Sequence, residues 1–303
     1  MNSKISVVIP LYNKQEAIES TLCSVLSQTI EPIEIIVVDD GSTDESVNIV
    51  RTIKSEKISL VQKSNGGVSS ARNVGMMMAK GDWIFLLDAD DTLELNALEI
   101  FSKMIITHPT EKIFIGNYWG REHSPYRCRV FQDFCRVAGN PYKAFLFDYL
   151  APKIGAFIFH KSNIADVGMF DERMSFFEDF DFTCRIMDRY AFVYSSLPVM
   201  SYRQEFSTLS LPHHPIEKEF AFYLDKQHLC NAGIWKELIM AENLRYCEYV
   251  RSLISDVRGV NLYKQKYKDL FSWRCHFVFF LIDFGKRIKR RCHILSNIFH
   301  LNR

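Results

Sequence analysis

Three carboxylates directly follow a buried apolar run at residues 83–87. The run is Trp-Ile-Phe-Leu-Leu, and the carboxylates are Asp88, Asp90 and Asp91, with Ala89 between the first two. Such a run is typical of a strand buried on both faces of a parallel sheet, and ligands of open α/β sheets bind beyond the carboxyl ends of these strands. Carboxylates this close repel each other unless a cation lies between them. The segment therefore predicts a site for Mg²⁺ or Mn²⁺, which prefer oxygen ligands, with a solvated acidic turn as the alternative.

Further polar clusters follow the other predicted strands. Residues 10–14 (PLYNK) follow the strand at 5–9, and residues 39–44 (DDGSTD) follow the strand at 33–38. The loop 65–73 (NGGVSSARN) precedes a helix, and its glycines let backbone amides approach a ligand closely. Turn chemistry alone does not explain several such clusters on one sheet edge, so we expect them to form one site.

These clusters are separated by segments with helical and strand patterns. Helices are predicted at 14–28, after Ser42, and up to Ala79, with Ser42 as an N-cap and Gly81 as a C-cap; a third strand is expected at 58–62. Strand and helix alternate four times within about 90 residues. This alternation predicts an α/β fold with a Rossmann-like, mostly parallel sheet and flanking helices.

Composition limits the class of protein. The chain has 303 residues, 48% of them hydrophobic, and a formal net charge of +1. None of its eight cysteines forms a CxxC pair, and no apolar run has the length of a signal peptide or membrane-spanning helix. We therefore expect reduced thiols and a cytoplasmic protein, or one that is peripheral on the inner face of the cell membrane.

Five motifs together resemble those of family 2 glycosyltransferases, of the kind that build bacterial surface glycans such as lipopolysaccharide or capsule. They are VVIPLYNK, VVDDGSTD, NGGVSSARNVG, GDWIFLLDADD and the series GMFDE…ED…YR. Each motif is short, but their order and spacing are specific. The resemblance covers roughly residues 4–210 and implies the glycosyltransferase A-type fold.

The resemblance implies a sugar donor activated by a nucleotide diphosphate, commonly uridine diphosphate. Asp39 and Asp40 would then lie at the uracil, where a carboxylate accepts a hydrogen bond from the ring N–H. The base pocket would be walled by Pro10, Tyr12 and Asn13. Simple packing is the alternative role for Tyr12.

Arg72 would contact the uracil or the diphosphate, because a guanidinium is a charged donor of several hydrogen bonds. The alternative for Arg72 is a salt bridge on the helix surface. In the family's DxD motif, here Asp88-Ala89-Asp90, Asp90 would bind Mn²⁺ or Mg²⁺ and Asp88 the ribose or the metal's water shell. Asp91 would support the metal site from behind its ligands or cap a helix, rather than bind the metal directly.

Glu178 and Asp179 match the family's acidic pair, and Asp179 would be the catalytic base of an inverting transfer. The alternative for Asp179 is a helix N-cap, which does not exclude catalysis. Four phenylalanines flank the pair: Phe176, Phe177, Phe180 and Phe182. They could lower the local polarity and raise the pKa of Asp179, or they could belong to the hydrophobic core. We expect the core role for at least two of them.

The segment 201–210 departs from the family pattern. Arg203 would bind the diphosphate, but Glu205 stands where relatives often have a histidine. A third metal ligand of histidine type is therefore in doubt. His160, His213 and His214 are weak candidates to replace it.

The C-terminal region is basic. Residues 264–303 carry a net charge of +8, and residues 273–291 place an aromatic and aliphatic run beside five basic residues. The run could lie on an anionic membrane, or form a core helix with a basic end. Nucleic acid is a poor partner, because the aromatics are grouped rather than spaced for base stacking.

These observations predict a catalytic domain at 1–215 and a helical region at 216–303, with membrane association as one of its two candidate roles. The catalytic domain would have a donor half at 1–118 and an acceptor half at 119–215. The predicted activity is metal-dependent, inverting hexosyl transfer from a UDP-sugar to a glycan or lipid-linked saccharide. The alternative is a non-catalytic nucleotide-sugar-binding subunit. A nucleotidyltransferase is disfavoured, because no glycine-rich loop with Arg and Lys follows the first strand.

Overall fold

A computed structural model describes residues 3–120, 134–137 and 153–203, together with the helical residues 219, 222, 223 and 226. Within these residues the strands are β1 Ile5–Leu11, β2 Glu34–Asp39, β3 Ile58–Gln62, β4 Trp83–Leu86, β5 Thr92–Leu93, β6 Ile113–Trp119, β7 Cys135–Val137, β8 Phe157–His160 and β9 Phe192–Ser201. The helices are α1 Ile18–Leu26, α2 Ser46–Thr52, α3 Val68–Met78, α4 Ala97–Thr107, α5 Asn163–Val167 and α6 Glu178–Met187, and a 3-10 turn spans Ile154–Ala156.

The described strands form one sheet in the order β3-β2-β1-β4-β8-β6-β9-β5, with β7 paired to β9. The first four strands of this order are parallel, and so are β6 and β9. Strand β8 runs antiparallel to both of its neighbours, β4 and β6. The predicted α/β fold is therefore confirmed, and β1, β2 and β4 end at the same edge of the sheet.

Burial explains why these segments form the centre of the sheet. Every residue of β1, β2 and β4 is buried, as expected for strands covered by helices on both faces. Helix α3 packs very closely on β1, because a Cβ atom at Gly75 would lie 2.2 Å from Cγ1 of Val8. This close approach brings Arg72, one turn earlier on α3, to the carboxyl ends of the strands.

Two predicted helix caps are wrong. Helix α2 begins at Ser46 rather than near Ser42, whose hydroxyl instead accepts the Asn13 N–H at 3.0 Å. Helix α3 ends at Met78, and a Cβ atom at Gly81 would lie 2.7 Å from the carbonyl oxygen of Lys4. Gly81 therefore permits close packing rather than capping.

The chain divides into two compact units, residues 1–223 and 224–303. The predicted boundary at 215 stays a prediction, since that residue lies outside the described part of the chain, as does the basic segment 273–291. Among the residues that the structure describes, no helix is long and apolar enough to cross a membrane.

Candidate active site

An open cleft of about 450 Å³ lies where β1, β2 and β4 end. Nine of the residues predicted for the site line it: Pro10, Tyr12, Asp40, Arg72, Asp88, Ala89, Asp90, Glu178 and Asp179. Three predicted residues do not line it: Asn13, Asp39 and Arg203. The parallel strands therefore bring most of the predicted residues together, although those residues are widely separated in sequence.

The guanidinium of Arg72 lies at the centre of the cleft and joins three carboxylates. Nη1 lies 2.6 Å from Oδ1 of Asp179 and 3.3 Å from Oε1 of Glu178, and Nη2 lies 2.8 Å from Oδ1 of Asp88. The Arg72 side chain is only 3% exposed. Arg72 thus forms ion pairs, but inside the cleft and not on the helix surface.

Burial and charge act against each other in this cluster. Burial disfavours the charged form of Arg72, but the carboxylates of Asp179, Asp88 and Glu178 outweigh it and raise the guanidinium pKa. Burial would raise the pKa of Asp88, but Arg72 outweighs it and holds that pKa below its usual value. Burial raises the pKa of Asp179 despite Arg72. Burial and Asp179 together raise the pKa of Glu178 to about 8, which favours its protonated form.

The loop after β4 is held by two basic residues. Nζ of Lys14 lies 2.6 Å from Oδ2 of Asp90, and Nε of Arg203 donates to the carbonyl oxygen of Asp90 at 2.8 Å. Asp91 is 1% exposed and accepts the Arg203 N–H at 3.0 Å. Burial and Asp88 raise the pKa of Asp91 to about 7. Arg203 therefore ties the backbone of Asp90 and the side chain of Asp91 in place within the loop.

The donor set at Asp88 and Asp90 fits a divalent cation that shares its ligands with phosphate. Burial and the charge of Asp88 raise the pKa of Asp90 although Lys14 opposes this, so the two carboxylates still repel each other. Mg²⁺ typically takes one or two protein carboxylates and completes its shell with substrate phosphates and water. No group of three or more metal-ligating side chains occurs in the described residues, so phosphate and water oxygens would have to supply the remaining ligands.

Asp40 binds the glycine loop that precedes α3. Its Oδ1 accepts the Gly66 N–H at 2.9 Å and lies 2.6 Å from Nζ of Lys63. Its Oδ2 accepts the Gly67 N–H at 2.7 Å, and Gly67 has φ +88°, a conformation that favours glycine. The loop amides that were expected to face a ligand thus donate to a protein carboxylate.

The two loops after β1 and β2 are fastened to each other. Oδ1 of Asn13 accepts the Thr43 N–H at 2.8 Å, and Oδ1 of Asp39 accepts the Ser42 N–H at 3.0 Å. Tyr12 is 46% exposed and lines the cleft, so packing does not explain it. Asn13 and Asp39 thus hold the loops beside the cleft, and Tyr12 lies exposed at the cleft.

The aromatic residues around the acidic pair have different positions. Phe177 and Phe182 are fully buried in the core, whereas Phe180 is 42% exposed. The expectation that at least two phenylalanines belong to the core is confirmed. Phe177 occupies the N-cap position of α6 and Asp179 lies in its first turn, so Asp179 is not the N-cap.

One candidate for a third metal ligand is wrong. His160 pairs with Trp83 across β8 and β4, at the beginning of β4, whereas the carboxylates follow the end of that strand. Its Nδ1 lies 2.9 Å from the hydroxyl of Ser162. Glu205, His213 and His214 lie outside the described residues.

Several residues at the site were missed. Lys14 stands within the PLYNK motif, so a cation beside the carboxylates could have been predicted from it. Nζ of Lys153 lies 2.9 Å from the centroid of the Tyr202 ring, and both side chains line the cleft. Burial lowers the pKa of Lys153, although Asp91 and other carboxylates oppose this. Lys153 follows a stretch without clear periodicity, so no sequence signal identified it.

The sequence model of one protein family, described as glycosyl transferase family 2, matches residues 6–173. The chain is 35% identical over 141 residues to the glycosyltransferase GlyG of Streptococcus pneumoniae, covering 45% of this chain and 46% of GlyG. It is 34% identical over 126 residues to the glycosyltransferase GlyA of the same species, covering 41% of this chain and 18% of GlyA. The chain thus spans about half or less of these curated relatives.

Crystal structures of S. aureus TarS resemble this chain in fold. TarS 1–349 superposes with a TM-score of 0.62 at 20% identity, covering 82% of this chain and 73% of that one. The same protein in complex with UDP-GlcNAc gives a TM-score of 0.62 at 21% identity, with 82% and 74% covered. At this level of identity the likeness concerns the fold alone.

Proposed function

The chain belongs to glycosyl transferase family 2, and we propose that it moves a sugar from a UDP-sugar to a hydroxyl of a growing surface glycan or lipid-linked saccharide. The observation that carries this proposal is the shared contact of Asp88 and Asp179 with Arg72 inside one cleft. A residue of the predicted donor site and the predicted base are thereby held a few ångströms apart. UDP and UDP-GlcNAc, bound by TarS in its crystal structures, are the model ligands for that cleft.

Donor binding would use the exposed ring of Tyr12 for the base and the cations of the cleft for the diphosphate. Lys14, Lys153 and Arg72 line the same cleft and are each paired with carboxylates or close to them. Asp90 and Asp88 would hold Mn²⁺ or Mg²⁺, which when bound neutralises the charge that develops on the leaving diphosphate. The carboxylates of Asp88 and Asp90, which fit a divalent cation that is also bound by phosphate, support this assignment.

In the transfer step, the acceptor oxygen attacks the anomeric carbon from the face opposite the diphosphate. The bond between the anomeric carbon and the diphosphate oxygen breaks, and its electron pair leaves with the nucleotide. This attack from the opposite face inverts the configuration at the anomeric carbon. Asp179 takes the proton of the acceptor hydroxyl and is therefore the general base. Its raised pKa strengthens it as a base, and the contact with Arg72 orients its carboxylate.

A UDP-sugar is first selected by thermal shift with Mn²⁺, because a ligand that binds the folded state raises its melting temperature. The release of UDP from that donor is then compared between wild type and Asp179→Asn. The variant should lose about 10²- to 10⁴-fold in kcat, while calorimetry shows nearly unchanged UDP binding. Asp188→Asn, at the other end of α6, is the matched control.

Two results would contradict the proposal. Absence of stabilisation by any UDP-sugar would remove the proposed donor class. Wild-type turnover by Asp179→Asn would show that another group accepts the proton.

A further inference from the structure

The segment that leads into α6 is held by a carboxylate from far along the chain. Oε1 of Glu219 accepts the backbone N–H groups of Ser175, Phe176 and Phe177 at 2.7, 2.5 and 2.9 Å. Its Oε2 accepts the Ser175 hydroxyl at 3.2 Å. Glu219 is 6% exposed. Consecutive N–H groups directed at one point form a concave anion site, and here a side chain of the same chain occupies it.

We propose that Glu219 is a positioning residue for the general base. Glu178 and Asp179 directly follow the three residues whose N–H groups Glu219 accepts, so the place of Glu219 sets the start of α6 and the direction of the acidic pair. Hydrogen bonds to an ionised acceptor are shorter and stronger than neutral ones, and a carboxylate is favoured near a helix N-terminus. The inference rests on the proposed role of Asp179.

The same segment is anchored from the other side by α3. The hydroxyl of Ser69 donates to the carbonyl oxygen of Met174 at 2.9 Å, one turn before Arg72 on that helix. The ring of Phe177 stacks on Tyr223, with centroids 5.3 Å apart and planes 15° from parallel. Residues 174–177 are therefore held between α3 and the helical residues around Glu219, while Arg72 holds the carboxylates that follow.

Glu219 lies beyond the part of the chain that matches the family model, which ends at residue 173. It also lies beyond the catalytic domain predicted from the motifs. The base, Asp179, also lies beyond residue 173, so both the base and the residue proposed to position it are outside the matched part of the chain. A base displaced by about 1 Å can cost about a hundredfold in rate, so this contact can govern kcat without touching the substrate.

The test compares Glu219→Gln with wild type. Glutamine keeps the shape but removes the charge, so its amide oxygen accepts the three N–H groups more weakly, and its NH₂ group cannot accept the Ser175 hydroxyl as Oε2 does. We expect kcat for UDP release from the selected UDP-sugar to fall about ten- to hundredfold, while the KM for donor and the affinity for UDP stay near wild type. Calorimetric stoichiometry with UDP counts the binding-competent molecules, so that kcat refers to folded protein.

Glu34→Gln is the matched control. Glu34 is 8% exposed and accepts the Lys80 N–H at 2.5 Å and the Ser6 hydroxyl at 2.6 Å, at the end of β2 remote from the cleft. It should lower stability without changing kcat per binding-competent molecule. Glu219→Asp is a second variant in case glutamine prevents folding, because it keeps the charge but draws the carboxylate back by one methylene. It should also lower kcat with donor affinity kept.

Each outcome either supports or overturns the positioning role of Glu219. Wild-type kcat in the folded Glu219 variants overturns the positioning role, and so does a fall in kcat no larger than that of Glu34→Gln. If Asp179→Asn is inactive while the Glu219 variants have wild-type kcat, this inference fails alone. If Asp179→Asn keeps wild-type turnover, the proposed base fails and the inference falls with it.

Discussion

Replacing Arg72 by methionine removes the guanidinium that contacts Asp88, Glu178 and Asp179, and leaves these carboxylates without it in the cleft. Removing one partner of a buried ion pair costs about 3–5 kcal/mol. The side chains of Asp88 and Asp179 are 33% and 39% exposed, so water compensates part of the loss. We therefore expect the low end, about 3 kcal/mol, which lowers the melting temperature by about 6–12 °C for a unit of this size.

The loss in unfolding free energy caused by Arg72→Met should depend on pH. Arg72 holds the pKa of Asp88 below its ordinary 3.8, so in the wild type the stability that this pair contributes is fully present at both about pH 5 and about pH 8, and the pH dependence must come from the variant. Without Arg72 the clustered carboxylates repel each other and take up protons more readily in mild acid. The loss in unfolding free energy should thus be smaller at about pH 5 than at about pH 8.

Urea denaturation of the full chain, followed by circular dichroism at both pH values, measures this loss. Arg173→Met is the control, because Arg173 is 71% exposed and its pair with Asp171 is screened by solvent, so its removal should change stability far less. A loss below about 1 kcal/mol for Arg72→Met, or an equal loss at both pH values, would refute the reasoning.

Two further predictions concern the acidic residues of the cleft. The folded-state pKa of Glu178, about 8, exceeds its ordinary 4.5, so the folded protein retains a proton that the unfolded chain releases, and stability should fall as the pH rises between these values. Glu178→Gln should flatten this fall in melting temperature, and an unchanged slope would contradict the assignment. Mn²⁺ should increase the affinity of the wild type for UDP. In Asp90→Ala this increase, measured by calorimetry, should be at least about tenfold smaller, because the variant lacks a proposed metal ligand. Asp82→Ala, before β4 rather than after it, should keep the increase, and the full increase in Asp90→Ala would exclude Asp90 as a ligand.

The location of the cleft could be predicted from the sequence because its signals are local. Continuous apolar runs predicted β1, β2 and β4, since strands covered on both faces need apolar side chains at every position. Parallel strands end at one edge, so the polar residues after each run had to meet there. Tyr12, Asp88 and Asp179 were predicted in this way, or from motif order, and all three line the cleft.

The direction of each strand was harder to predict from the sequence than its position. A continuous apolar run shows that both faces of a strand are covered, but it does not fix the direction of an individual strand within a mixed sheet. The antiparallel course of β8 places His160 at the beginning of β4, away from the carboxylates. A histidine near the motifs in sequence was thus no guide to a ligand near them in space.

The sequence by itself determined which residue types reach the cleft, because hydrophobic period and turn residues act over a few neighbouring positions. Only the tertiary structure decided which charged side chains contact each other or a given backbone segment. Arg72 contacts Asp179 from 107 positions away, and Glu219 reaches Ser175 across 44. Such pairings depend on the distance between segments packed against each other and on the cost of burying each charge unpaired. Neither quantity leaves a periodic trace along the chain.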